Sequence, residues 1–344
     1  MDWVLKGGHC LEDGKVVVRD LGISDGWITE KIAPDARVFD ASGFIVAPGI
    51  VDLHGDGFER NMSPRPGVMF DLDTALVETD RQLVANGITT AYLAMTISWE
   101  PGLRSLEQGR KLVEALTRMR PYLLCDIRLQ LRWEVFALEA VEQIEAWLDL
   151  DPTPMLAFND HFTGMLKGGR EAKDVSKYAA RSGMTMEQYN ALTERTRARA
   201  DDVPGAIARL SRAARARGVP MLAHDEKTVE VRARNRAMGI TISEFPLTRE
   251  AAADAVAAGE PTILGAPNVL RGGSHIKAVD AEPAVRDGLC RILASDYYYP
   301  SLMRAVLKMA QGDLGALAQN WPLISENPAA CVAADAPVGL ARGA

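Results

Sequence analysis

From about residue 45 to residue 296, short apolar runs alternate with longer stretches in which apolar side chains recur every three to four positions. The short runs read as strands and the longer stretches as helices, and their alternation predicts a parallel sheet. Strands are expected at Ile45–His54, Thr89–Met95, Ile127–Glu134, Pro154–His161, Pro220–His224, Thr241–Phe245, Thr262–Ala266 and Arg291–Asp296. Helices are expected over 71–86, 104–120, 136–149, 204–217, 227–238 and 248–258. Gly87 and Gly218 stand just ahead of strands, where a helix commonly ends on a left-handed residue. Eight parallel strands close a barrel, so the expected fold is α/β, a (β/α)8 TIM-like barrel.

Residues 1–48 are patterned differently. Short apolar runs around Trp3–Gly8, Gly14–Val18, Leu21–Ser24 and Trp27–Thr29 are separated by Asp13-Gly14 and Asp25-Gly26, both hairpin signals. This predicts a small β-domain over 1–48, ahead of a barrel over 49–330. Residues 164–202 interrupt the barrel's alternation. Gly164-Met-Leu-Lys-Gly-Gly-Arg170 reads as a flexible basic loop, and a polar helical stretch follows it, with Thr185-Met-Glu-Gln188 spaced as a capping box. An insertion directly after a strand end is either a lid or substrate loop, or a solvated helical hairpin.

The length of 344 residues suits one barrel, typically about 250 residues, with a small appended domain. With 47% hydrophobic and 25% charged residues the chain is globular, not disordered, collagen-like or coiled-coil. No apolar run reaches the ~18–20 residues of a membrane span, and the first residues lack the basic-then-apolar pattern of a secretory signal. Cys10, Cys125, Cys290 and Cys331 are scattered with no CxxC pair, which argues against a disulfide framework or thiolate zinc and for a reducing cytoplasm. A net charge of −7 argues against a nucleic-acid surface, yet leaves room for a small anionic phosphorylated substrate held by local cations. A homo-oligomer is compatible with the sequence and not specified by it.

Side chains at the C-terminal ends of parallel barrel strands converge on one site. Those ends carry His54 and Asp56, Glu134, Asp160 and His161, His224 and Asp225, and Asp296. Of five histidines in the chain, three end expected strands beside carboxylates. Imidazole and carboxylate suit Zn2+, with Mn2+ or Fe2+ also accommodated. Two divalent cations ~3.5–4 Å apart need about five or six ligands and a bridging carboxylate. His54, Asp56, His161, His224 and Asp296 supply that set, with Glu134 as the candidate bridge. Asp296 is also the candidate base that takes a proton from the attacking water.

Gly265-Ala-Pro-Asn-Val-Leu-Arg-Gly-Gly-Ser-His275 follows the expected seventh strand, a common place for phosphate sites in barrels. Arg271, Gly272, Gly273, Ser274 and His275 would form an anion cradle; an ordinary glycine-rich turn is the alternative. Arg65 lies between Pro64 and Pro66, which would hold it in a fixed pose. Lys167, Arg170 and Lys277 extend the candidate basic pocket. Tyr297, just after the last motif, is a candidate substrate contact or a packing residue of the barrel rim.

The motifs Ala47-Pro-Gly-Ile-Val-Asp-Leu-His-Gly-Asp56, Pro64-Arg-Pro-Gly67, Gly87-Ile-Thr-Thr90, Leu131-Arg-Trp-Glu134, Asp160-His161, Ala223-His-Asp225, Glu244-Phe-Pro246, Gly265–His275 and Ser295-Asp-Tyr-Tyr298 run in order along the chain. This series resembles the amidohydrolase superfamily, and within it the triphosphate diphosphatases of the carbon–phosphorus lyase pathway. The resemblance implies an amidohydrolase-type barrel with a binuclear metal site. It also implies attack of a metal-bound hydroxide on the α-phosphorus of a ribose 5-triphosphate bearing a 1-phosphonate, with release of pyrophosphate. Two departures stand out. The first motif usually reads His-Thr-Asp-Asn and here reads His54-Gly-Asp-Gly57. The family's closing strand of the β-domain has no evident counterpart before Ala344, so that domain is expected to be either incomplete or completed differently by residues 330–344. Two other functions fit the same scaffold: a cyclic-amide hydrolase or heterocycle aminohydrolase, and a non-catalytic subunit of a phosphonate-degrading assembly.

Overall fold

The computed structural model describes residues 2–31, 33–65, 67–167, 175–274, 278–332 and 339–340. The N-terminal segment forms β1 (Trp3–Glu12), β2 (Lys15–Ser24), β3 (Trp27–Thr29), β4 (Arg37–Asp40) and β5 (Ile45–Val46), in one sheet ordered β3-β2-β1-β4 with β5 also on β1. Asp13, Gly14, Asp25 and Gly26 all have positive φ, so each Asp-Gly pair makes the tight hairpin turn its residue types favour. The apolar run from Ile45 is divided between two domains. Ile45–Val46 pairs with β1, and the chain passes through Pro48-Gly49 before the barrel's first strand begins at Ile50. Glycine is required at 49, because a Cβ there would lie 2.3 Å from Thr89 Oγ1. From the far end of the chain, Leu340 packs with Cys10 and Leu21, and its carbonyl accepts from Arg19 Nη2 at 2.9 Å.

Eight parallel strands make the second sheet: β6 (Ile50–Gly55), β7 (Ile88–Ile97), β8 (Asp126–Glu134), β9 (Met155–Asn159), β10 (Met221–His224), β11 (Ile242–Glu244), β12 (Thr262–Gly265) and β13 (Ile292–Ala294), each bonded to the next in sequence. Its edges meet through a parallel bridge between Gly55 and Asp296, with Asp56 N–H donating to Asp296 O and Asp296 N–H to His54 O, both at 2.9 Å. The sheet is thus a closed (β/α)8 barrel. Val51 and Leu53, Met155 and Ala157, Ile292 and Ala294 alternate along their strands and fill its interior together with Tyr92, Leu222, Ile242 and Ile263. A larger apolar layer lies between the strands and the surrounding helices.

The helices fall where their periodicity places them: Leu72–Ala85, Leu106–Met119, Val141–Trp147, Val203–Ala216, Val229–Ala237 and Arg249–Ala257. Most start on a side-chain cap, as Asp71, Ser105, Thr228 and Thr248 do. Gly87 and Gly218 have the expected positive φ. After the last strand come Ser301–Ala310, Leu314–Asn320 and Glu326–Val332, which the alternation of strands and helices does not signal because no strand follows them.

The insertion differs in part from its expectation. Residues 161–166 are a helix, so the first half of the expected 164–170 loop is helical, and Arg170 lies outside the described residues. Helices Val175–Arg181 and Met186–Arg197 follow, the second with the complete Thr185–Gln188 capping box. All four cysteines are free, and no helix among the described residues is long and apolar enough to cross a membrane.

Beneath β10 and β11 lies a buried ionic cluster. Arg232 Nη1 donates to Glu226 at 2.8 Å, and its Nε lies 3.1 Å from Glu260. Ser243 Oγ and Asn235 Nδ2 complete the solvation of Glu226, each at 2.7 Å. Removing a buried cation leaves its partners as uncompensated charges. We expect Arg232→Ala to lower stability by about 3–5 kcal/mol. Urea unfolding followed by circular dichroism measures it, and an unchanged midpoint would show that the two carboxylates are neutralised by other means.

Candidate active site

The C-terminal mouth of the barrel opens into a cavity of about 330 Å3. His54, Asp56, Arg132, Glu134, His161, His224, Asp225 and Asp296 form its floor. Trp99, Phe162, Met165, Tyr178 and Tyr189 stand on one side, the last four from the 161–197 helices. Part of the insertion therefore walls the cavity. Asp225, Phe245 and Asp296, each just past a strand end, have left-handed φ of 58°, 50° and 56°. Such backbone costs roughly 1 kcal/mol or more per residue and concentrates at functional sites.

Glu244, at the end of β11, is fully buried. It accepts from Gln130 Nε2 at 2.7 Å and lies 2.9 Å from Nδ1 of both His54 and His224. Burial opposes its charge, but the two imidazoles and their hydrogen bonds outweigh that and hold it well below the usual carboxylate range. An ionised Glu244 requires a proton on each Nδ1 and leaves each Nε2 as the ring nitrogen available to a ligand. The two rings stack 5.6 Å apart.

His161 is the first residue of its helix, not the end of a strand, because Asp160 turns away to cap that helix through Thr163 N–H. Its Nδ1 lies 2.7 Å from Glu134 and its Nε2 3.5 Å from Asp225. Burial opposes a charge on His161, yet Glu134 and Asp225 prevail and raise its pKa to about 9. Burial likewise opposes a charge on Glu134, which His161 and Arg132 draw down to about 2.

Three groupings have ligand atoms close enough to share one cation: His54, Asp56 and Asp296; His161, His224 and Asp225; and His54, His224 and Glu244. The first two unite five of the six expected ligands. The expected bridge, Glu134, stands one step back, holding His161 and accepting from Asn159 Nδ2 at 2.8 Å. Asp225 stands in the grouping with His161 and His224 instead, and Glu244 orients two imidazoles. Asp225 is among the expected strand-end residues but not in the expected ligand set; Glu244 lies inside the expected strand Thr241–Phe245, and its place in the Glu244-Phe-Pro246 motif is the only signal for it. The donor set fits divalent cations: imidazole nitrogens fixed by buried carboxylates, with carboxylate oxygens opposite.

The expected anion cradle is not built as anticipated. Residues 266–271 form a helix ending at Gly272, and the N–H groups of Gly272 and Gly273 both donate to Asn268 O, at 3.1 and 3.0 Å. Those donors are already used, because the helix ends on left-handed Gly272 and its last-turn carbonyl takes both N–H groups. Arg271 is exposed and does not line the cavity; Ser274 lines it, while its N–H donates to Asp280. Arg65 and Lys167 are exposed and also lie off the cavity. His275 and Lys277 are outside the described residues. Tyr297 lines the cavity, 5.9 Å beneath the Arg60 guanidinium. The arginines that do line it, among the described residues, are Arg104 and Arg132, and no described lysine does. Arg104 is clamped by Glu59 at 2.9 and 2.8 Å.

The altered first motif has a steric cause. A Cβ at Gly57 would lie 3.1 Å from the ring of Tyr299, and one at Gly55 only 2.8 Å from it. Tyr299 is buried and fills the space that larger residues at 55 and 57 would occupy.

The mouth of a barrel bearing clustered imidazoles and carboxylates defines a metal-dependent hydrolase of the amidohydrolase superfamily. The chain is 31% identical over 329 residues to alpha-D-ribose 1-methylphosphonate 5-triphosphate diphosphatase of Escherichia coli K12, covering 92% of this chain and 86% of that protein. The chain belongs to that enzyme's family. No family model matches the sequence. In fold it resembles an uncharacterized metal-dependent hydrolase from Pyrococcus furiosus (TM-score 0.63, 8% identity, 100% of this chain and 97% of that one). It also resembles dihydropyrimidinase from Brevibacillus agri (TM-score 0.52, 12% identity, 96% and 81%).

Two outcomes follow. His161 has a folded pKa above its unfolded value of about 6.5, so its stabilisation is complete below that pH and fades as pH rises through about 9. The stability difference between chelator-treated wild type and His161→Gln should shrink from pH 6 to pH 9.5 in urea titrations; a constant difference would deny His161 a charged pairing. Gly57→Asn should cost about 1–3 kcal/mol by overpacking. Because Tyr299 is what it meets, the cost should be largely absent in a Tyr299→Ala background, and simple additivity in the double-mutant cycle would place the clash elsewhere.

Proposed function

We propose that the chain hydrolyses a phosphoric anhydride, releasing pyrophosphate from a ribose 5-triphosphate that carries a 1-phosphonate. The observation that carries this reading is the sequence similarity over 92% of the chain to an enzyme named for that substrate. Divalent cations held by His54, Asp56 and Asp296 and by His161, His224 and Asp225 would supply Lewis acidity and acidify water; zinc suits the donors, with manganese or iron as alternatives. Asp296 is buried beside Asp56, which together raise its pKa to about 6. At the cavity floor, the Asp296 carboxylate takes the proton of the attacking water as the water's oxygen bonds to the α-phosphorus and pyrophosphate departs. Arg132 and Arg104 face developing phosphoryl charge, Arg104 with its guanidinium preset by Glu59. The aromatic side of Trp99, Phe162 and Tyr189 excludes water and faces the sugar.

A cyclic-amide hydrolase is the second reading. The cavity favours it in one respect: its described lining sets only two arginines against Asp56, Glu100, Glu134, Asp225 and Asp296, few cations for a triphosphate.

Metal-reconstituted protein assayed with the phosphonate triphosphate, ATP and dihydroorotate separates the two. Pyrophosphate from the first substrate, well above ATP, is expected; turnover of dihydroorotate alone would favour the amide reading. Asp296→Asn should keep the fold and lose about 10²–10⁴ in kcat, and a near-wild-type rate would remove Asp296 from the proton transfer.

A further inference from the structure

Arg132 reaches up from β8 into the middle of the candidate metal centre. Its side chain is only 7% exposed. Nη2 donates to His224 Nε2 at 2.8 Å, Nη1 lies 4.0 Å from Asp56 Oδ2, and the buried Nε has no hydrogen-bond partner among the described residues. The geometry of His224 makes this contact exclusive. Its Nδ1 proton is committed to Glu244, so Nε2 offers one lone pair, and the guanidinium takes it. A cation in the His161, His224 and Asp225 grouping needs that same lone pair. Arginine stays protonated at any ordinary pH, so it cannot yield by losing its charge and has to move aside. The His54, Asp56 and Asp296 grouping does not use His224 and meets Arg132 only at the longer Asp56 distance.

We propose that Arg132 is a resident cation that makes the two metal positions unequal: the first grouping loads directly, and the second loads only when the guanidinium is expelled from His224 into the cavity. There the displaced fork would be presented to an anionic substrate group. Arg132 is thus a gate on metal stoichiometry as well as a cavity cation. The proposal rests on the cluster being a metal centre and is independent of which substrate is cleaved.

Calorimetric titration of chelator-stripped, full-length protein with Zn2+ tests it. Wild type should take up one equivalent at least tenfold more tightly than a second. Arg132→Met should bring the two steps within about threefold, and His161→Gln should abolish the weaker step alone. Equal steps in wild type, or an unchanged gap in Arg132→Met with native circular dichroism, would overturn the gate. Loss of the tighter step in His161→Gln would show that the wrong grouping was assigned as hindered. If Arg132→Met does not fold, Arg132→Lys, which keeps the charge but cannot span His224 and Asp56, should narrow the gap at least threefold; a gap as wide as in wild type would again overturn the gate. No uptake of Zn2+ by any form would instead remove the metal-centre reading itself.

Discussion

The barrel's seam is the constraint on which the site depends. Two backbone hydrogen bonds join the ends of β6 and β13, so that His54, Asp56 and Asp296, separated by some 240 positions in the chain, share one edge. Asp52 reinforces the seam from behind: its carboxylate accepts from Ser295 N–H at 3.0 Å and from the Ser295 hydroxyl. Burial pushes the pKa of Asp52 up, although these donors work against that. An open sheet with the same strands would leave Asp296 at the opposite edge from His54, and no cation could bridge them.

Within that frame, orientation is set by carboxylates that stand behind the imidazoles. Glu244 fixes His54 and His224, and Glu134 fixes His161, each through Nδ1. Every such contact turns the opposite nitrogen toward the cavity and fixes which tautomer the ring adopts. Burying these charges is costly one at a time. It is tolerated because each carboxylate has several donors and each imidazole a carboxylate, which is also why Glu134 and Glu244 are drawn so far below ordinary carboxylate values.

Tyr299 and Arg132 each shape the site from a distant part of the chain. Tyr299 lies across Gly55 and Gly57 and replaces side-chain volume there with a ring contributed by the far end of the barrel. Arg132 places a permanent positive charge among ligands that would otherwise repel one another. Both effects link residues on different strands, and neither has a local cause in the residues flanking it.

The sequence by itself determined the architecture. Period-2 and period-3.6 patterning, glycine ahead of strands and Asp-Gly turns specified the eight barrel strands, strands β1 to β3 and six of the barrel's helices, since those signals act over a few residues; β4, and the pairing of Ile45–Val46 with β1 rather than within the barrel, were not read from it. It also nominated the strand ends, because a parallel barrel sends them all to one mouth; hence His54, Asp56, His161, His224 and Asp296 were legible. Which carboxylate joins a candidate ligand grouping beside two imidazole nitrogens and which stands behind a ring was decided only in three dimensions: Glu134, Asp225 and Glu244 all lie at or just past strand ends, and differ by the neighbour each meets across the barrel. The cations were the least legible. Arg65, Lys167 and Arg271 lie in motifs that look basic and flexible, yet they point to solvent, whereas Arg132, within a buried strand, reaches the cavity because the pleat turns that position inward.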